Sequence, residues 1–247
     1  MKAIAALVIL AFSAGVWAES LERPPVGAGD SWVYRMTTER GQGWNQTTDE
    51  FTVVRVTPTT IFLSVQTSGS TQPAREIFQG NDWSRARDVN GKETVVNRPF
   101  AFPLSDGKTW DIAYTEDGPS KQLKTRTFET HYRVVGYEAV EVPAGKFRAL
   151  KIEAEGDWKA QLAPSQSVVQ GANVSPGDTA MVTHAQTTLE RDITGKTYKA
   201  FWYAPEVKRW VKSVEEYYST AGVRTERYTQ ELVSFKAAGS ANSSSSP

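Results

Sequence analysis

The sequence predicts an all-β protein: a large, strongly twisted antiparallel sheet curled into a half-barrel or open barrel. Three observations carry that expectation. No window of about eleven residues places apolar side chains at i, i+3, i+4 and i+7 with helix-forming residues between them. Thr, Val, Tyr and Phe recur instead in short runs. Turn-forming clusters separate those runs where hairpins need them. Thirteen candidate strands result, more than a flat open sheet easily holds, so curling or splitting is expected.

In chain order the runs are Ser31–Glu39, Thr47–Val56, Thr60–Thr67, Arg75–Gln79, Trp83–Asp88, Trp110–Glu116 and Lys121–Gly136. Tyr137–Val142, Lys146–Lys159, Thr179–Asp192, Thr197–Tyr203, Trp210–Ser219 and Val223–Phe235 follow. The turns between them are read at 57–59 (TPT), 90–91 (NG), 116–120 (EDGPS), 143–145 (PAG), 194–195 (TG) and 220–222 (TAG). The 143–145 hairpin is expected to have a three-residue loop with a bulge at Gly145. Val142 would then pair with Lys146, Val140 with Arg148 and Glu138 with Leu150. Residues 161–178, QLAPSQSVVQGANVSPGD, interrupt the strand pattern and read as a flap or insertion.

Both ends of the chain read differently from the middle. Residues 1–18 have the form of a secretory signal: Lys2, an apolar run, and small or branched residues before a cleavage site after Ala18. A single β domain is expected over 19–236, in one piece or as related halves 27–100 and 101–236, with a disordered tail at 237–247. GDSWVYRMTTE at 29–39 resembles GKTWDIAYTED at 107–117. Duplication and the ordinary way a strand begins after a turn both account for that echo. The expected location is periplasmic or secreted, with no transmembrane segment once the signal is cleaved. The chain has no cysteine, so an exported fold must be held by its core alone. Of the eight Trp, nine Tyr and ten Phe, all but Trp17 and Phe12 follow the expected signal and supply that core, each burying roughly 150–250 Å².

Lys+Arg and Asp+Glu number 28 each, and zero net charge speaks against nucleic acid as a partner. No catalytic motif stands out. The only histidines, His131 and His184, lie far apart and no ligand-spaced cluster surrounds them, so no metal or cofactor is expected. TGKT at 194–197 lacks the upstream glycine of a phosphate-binding loop, because position 190 is Glu, and it reads as a hairpin turn. Glu215 and Glu216 are adjacent and point to opposite faces. One aromatic concentration remains, FWYAPEVKRWVKSVEEYY at 201–218. Trp202, Tyr203, Trp210 and Tyr218 are the candidate ligand-binding residues, with Trp210, Val214 and Tyr218 expected on one face of their strand. The same rings also suit a sheet core, and β cores favour that use.

VPAGKFRALKIEAEG, then TYKAFWYAPEVKRWVKSVEEY, then QELVSFK resemble a family of bacterial exported proteins, DUF3108-like. The resemblance rests on Val142, Pro143, Ala144, Gly145 and Phe147, on Trp202, Tyr203, Pro205, Val211 and Lys212, and on Leu232 and Val233. It implies an antiparallel β architecture in the periplasm and no catalytic residues. The function expected from all of this is non-enzymatic: a cell-envelope protein holding a lipid or other apolar small molecule, or an envelope protein partner, on a concave sheet face. A glycan hydrolase using carboxylates and a structural module working through an edge strand are the alternatives.

Overall fold

The computed structural model describes residues 20–239 apart from 164, 176, 177, 189 and 190, and the backbone alone over 165–188. The expected signal at 1–18 and residues 240–247 of the tail expected at 237–247 lie outside the described residues; within 237–239, Ala238 N–H donates to Asp30 Oδ1 at 2.7 Å. Among the described residues no helix is long and apolar enough to cross a membrane.

Among the described residues fourteen strands form: β1 (Ser31–Arg40), β2 (Gly43–Val56), β3 (Thr60–Thr67), β4 (Arg75–Gly80), β5 (Arg85–Val89), β6 (Lys92–Asn97) and β7 (Thr109–Ser120) come first. They are followed by β8 (Leu123–Val142), β9 (Gly145–Leu162), β10 (Ser165–Ser175), β11 (Asp178–Thr188), β12 (Arg191–Ala204), β13 (Arg209–Tyr218) and β14 (Arg224–Lys236). Ten of them make one antiparallel sheet in the order β4-β3-β2-β1-β14-β13-β12-β9-β8-β7. Its edges, β4 and β7, do not pair with each other, so the sheet is an open half-barrel.

The curl has a local cause. β8 and β9 are far longer than their neighbours, and the pairing of β8 with β9 slips between Val134 and Gly136. A bulge at this point bends a hairpin and increases its twist. Beyond it the hairpin overhangs the end of β12, and its tip folds over until Ala144 N–H donates to the Leu232 carbonyl of β14, at 2.9 Å. The tip is therefore a cover for one end of the curl.

The concave face is filled over half its length by the chain's own crossing from β4 to β7. Trp83, Phe100 and Leu104 on that crossing are fully buried. Trp83 meets Trp32 edge-on at 5.3 Å, and Phe100 lies 4.9 Å from Tyr203 and 6.0 Å from Trp210. Leu21 pairs with Leu104 and ties the N-terminal segment to the same plug. The outer face is rich in ion pairs. Glu231 there binds Arg35 at 2.6 Å and Lys212 at 3.4 Å, and Glu153 binds Lys151 at 2.8 Å. One charged face and one buried face fit alternation in a curled sheet.

Several boundaries differ from the sequence reading. The 143–145 turn has two residues, Pro143 and Ala144, so Val142 faces Gly145 and Val140 faces Phe147. Its amide is taken by β14 and no three-residue loop is needed. The 121–136 and 137–142 runs are one bent strand, β8. EDGPS is not a turn: β7 runs to Ser120, with Gly118 and Pro119 absorbed in an irregularity between Asp117 and Ser120. Trp83 lies before β5 with φ of 61°, and β6, after the Asn90-Gly91 turn, was not anticipated. Residues 165–175 are strand and, among the described residues, pair with β11 alone. Ser, Gln and Asn make that segment read as loop, although its backbone completes a ribbon.

Candidate functional site

Beyond the plug, the remaining half of the concave face is an open cleft. Alternation decides what lines it. Phe128 faces Trp158 across β8 and β9, Gly195 faces Trp158 across β12 and β9, and Thr197 faces Tyr217 across β12 and β13. Tyr114 of β7 stacks on Phe128 at 5.1 Å. The β5–β6 hairpin leans over this wall and adds Arg85 and Arg87. Two recesses result. One, of about 330 Å³, is lined by Arg85, Arg87, Tyr114, Arg126 and Lys199 among others. The other, of about 500 Å³, is lined by Leu123, Phe128, Trp158, Ala160 and Ile193. Arg126, Phe128 and Tyr217 line both, so the recesses adjoin. Each falls in the roughly 300–1,000 Å³ range of small-molecule sites.

Two glycines set the floor. A Cβ on Gly195 would stand 2.5 Å from the Trp158 ring and 2.3 Å from the Tyr218 carbonyl oxygen. A Cβ on Gly156 would stand 2.5 Å from the Thr197 hydroxyl. The expected turn at 194–195 is absent for this reason. TG and TGKT lie inside β12, where the glycine lets an indole from β9 lie flat against the strand. Gly195→Ala is expected to overpack this spot and cost about 1–3 kcal/mol. Urea unfolding measures that loss, and an unchanged midpoint would refute the packing argument.

The charges divide by depth. Lys199 is 6% exposed, 3.7 Å from Glu215 and 3.3 Å from Asn97 Oδ1. Burial pushes its ammonium below the usual lysine value; Glu215 opposes that and Arg85 adds to it. Tyr217 is pushed up by burial and by Glu215. Glu116 is buried, which alone would raise it. Arg87 and Arg126 both grip its carboxylate, Arg126 at 2.8 Å, and hold it below the ordinary value.

The structure splits the four candidate aromatics. Pairing of β12 with β13 shifts between Trp202 and Tyr203, leaving Val211 unpaired. Tyr203 and Trp210 therefore point inward, fully and almost fully buried. Trp202 points outward, with the Lys151 and Lys212 ammonium groups 5.4 and 5.8 Å from its ring. Val214 and Tyr218 follow the outward set, so Trp210 is not on the shared face expected for all three from the sequence. Only Tyr218 reaches the cleft, at its rim.

His131 is exposed, with Nδ1 2.7 Å from Asp111 Oδ1; the side chain of His184 lies outside the described residues. Among the described residues no group of three or more His, Asp or Glu side chains is placed to hold a metal. The residues that build the cleft, Arg85, Arg126, Phe128, Trp158 and Lys199, were not singled out from the sequence. One signal was there to find: Lys199 has the same parity as Thr197 and Phe201, a charge on the inward side of an alternating strand.

No family model matches the chain, and no curated protein matches it. Two solved structures are similar. One is a candidate lipoprotein of Parabacteroides distasonis, 15% identical over 88% of this chain and 100% of that one, with a TM-score of 0.43. The other is a candidate exported protein with a YmcC-like fold from Bacteroides fragilis, 16% identical over 87% of this chain and 99% of that one, with a TM-score of 0.39.

Proposed function

We propose that this is a non-enzymatic binding protein of the bacterial cell envelope that holds an apolar ligand in the open half of its concave face. One observation carries the reading. The chain plugs half of that face with Trp83, Phe100 and Leu104 and leaves the other half as an aromatic-lined recess of about 500 Å³. Apolar walls with a few polar groups at one end are the usual composition of a ligand pocket. The signal-like residues 1–18 support the compartment. This narrows the site expected from sequence, since Tyr203 and Trp210 belong to the plugged half.

Native mass spectrometry of protein taken from the periplasm tests the reading. The expected spectrum shows an added small-molecule mass that disappears in Ile193→Trp, whose indole would occupy the recess. Thermal unfolding of that variant checks that the fold survives. A bare mass for both proteins, with no alkyl compound binding in titration, would overturn the proposal.

A further inference from the structure

The polar end of the cleft is more specific than an apolar pocket requires. Four basic side chains converge there from three elements: Arg85 and Arg87 from β5, Arg126 from β8 and Lys199 from β12. Two carboxylates face them. Glu116 is shared between Arg87 and Arg126, and Glu215 lies 3.7 Å from Lys199. Four cations against two anions leave an excess of two positive charges. Glu226, at the far rim of the larger recess, is engaged by Arg40 at 3.5 Å and by Tyr228. Among the described residues Arg85 meets no carboxylate within ion-pair distance, while its charge is felt by Lys199, Tyr132 and Tyr217. Arg126 spends Nε and Nη2 on Glu116, at 3.0 and 2.8 Å, and keeps Nη1 free of that carboxylate.

Excess positive charge around a half-enclosed recess raises the local concentration of anions there. The apolar recess begins at the same residues, Arg126, Phe128 and Tyr217. We infer that the ligand is a single-chain anionic amphiphile. Its carboxylate or phosphate head lies among Arg85, Arg87, Arg126 and Lys199, and its alkyl chain lies over Phe128, Trp158 and Ile193. Arg85 is the group the head would engage first, because no carboxylate of the protein holds it. This rests on the reading that the open cleft holds an apolar ligand, and adds the head group to it.

Calorimetric titration of the purified protein with four probes below their micelle concentrations tests it: decanoate, decanol, decyltrimethylammonium and inorganic phosphate. Decanoate is expected to bind roughly 10- to 100-fold tighter than decanol, the worth of one or two charge-assisted hydrogen bonds. Decyltrimethylammonium should be weaker still. Arg85→Gln, an exposed substitution that spares the core, is expected to bring decanoate to the affinity of decanol, and Ile193→Trp to abolish both. Equal binding of decanoate and decanol would overturn the anionic head while leaving the apolar site standing. Phosphate binding as tightly as decanoate would overturn the amphiphile in favour of a plain anion site. No binding of any alkyl probe would overturn the underlying reading itself.

Discussion

Arg209→Ala is expected to lower stability by about 3–5 kcal/mol, the range seen when other large, fully buried side chains are truncated. Arg209 is 2% exposed and sits at the centre of the plugged half. Its guanidinium carbon lies 4.2 Å from the ring of Trp210, 4.7 Å from Trp83, 4.9 Å from Phe51, 5.2 Å from Tyr34 and 5.6 Å from Trp32. Among the described residues no carboxylate answers it. Nε and Nη1 have no hydrogen-bond partner, and Nη2 reaches Gln79 only at 3.5 Å. Burying a cation costs several kcal/mol, and desolvated ring faces return up to about 2 kcal/mol each. With several rings in place the two electrostatic contributions come close to cancelling. What remains is volume: five aromatic rings are packed around a side chain that alanine does not replace.

The neutral, similar-sized Arg209→Met separates the contributions. Methionine fills the space and touches rings favourably, so it is expected to recover at least half of the alanine loss. Urea unfolding of the two variants beside the parent reads the difference. A methionine variant as unstable as the alanine one would show that attraction between charge and rings, not packing, holds this core.

The strand content was legible because alternation is local. Ile61, Leu63 and Val65 point inward and Phe62 and Ser64 outward, and β3 has the bounds the sequence predicted. The Asn90-Gly91 turn has both residues at positive φ, 55° and 79°, which is why that pair closes a two-residue hairpin. What escaped the sequence is non-local. An extra residue at Val211 reverses parity along β13 and separates Trp210 from Tyr218, and no propensity announces such a bulge. Gly195 looks like a turn residue until Trp158, on another strand, is seen lying against it. The cleft escaped for the same reason. Arg85 and Lys199 are brought together only because the crossing from β4 to β7 folds into the concave face, and an arginine in a short strand otherwise looks like solvated surface.

Raising the pH above about 10 is expected to unfold this protein steeply. Tyr34, Tyr132 and Tyr203 are fully buried, and burial pushes each hydroxyl well above the ordinary tyrosine value. The hydrogen bonds point the same way. Tyr34 donates to the Trp210 carbonyl at 2.6 Å, Tyr132 donates to Asn97 Oδ1 at 2.7 Å, and the Tyr203 hydroxyl has no partner. A phenolate at Tyr34 or Tyr132 could donate neither of those bonds. In the unfolded chain these groups lose their protons near pH 10; in the folded protein they keep them. Their contribution is therefore complete below pH 10 and is lost as pH rises through the interval above it. Arg209 works in the opposite direction. Burial lowers it to about 10, so the folded state releases that proton first and gains relative stability over the same interval. For these four groups alone, three protons held against one released leave two, or about 2.7 kcal/mol of stability lost per pH unit; burial also raises Tyr198 and Tyr217, which adds to the loss, while the lowered Lys199 opposes it below the ordinary lysine value. Against a typical total of 5–15 kcal/mol, that exhausts the fold within a few units. Urea midpoints taken between about pH 9 and pH 11 measure the slope. Tyr203→Phe removes a hydroxyl without a partner among the described residues, so it should cost little at neutral pH and still reduce the alkaline slope by about 1.4 kcal/mol per pH unit. A parent protein whose midpoint stays level across that range would refute the assignment of these tyrosines as neutral, buried and stabilising.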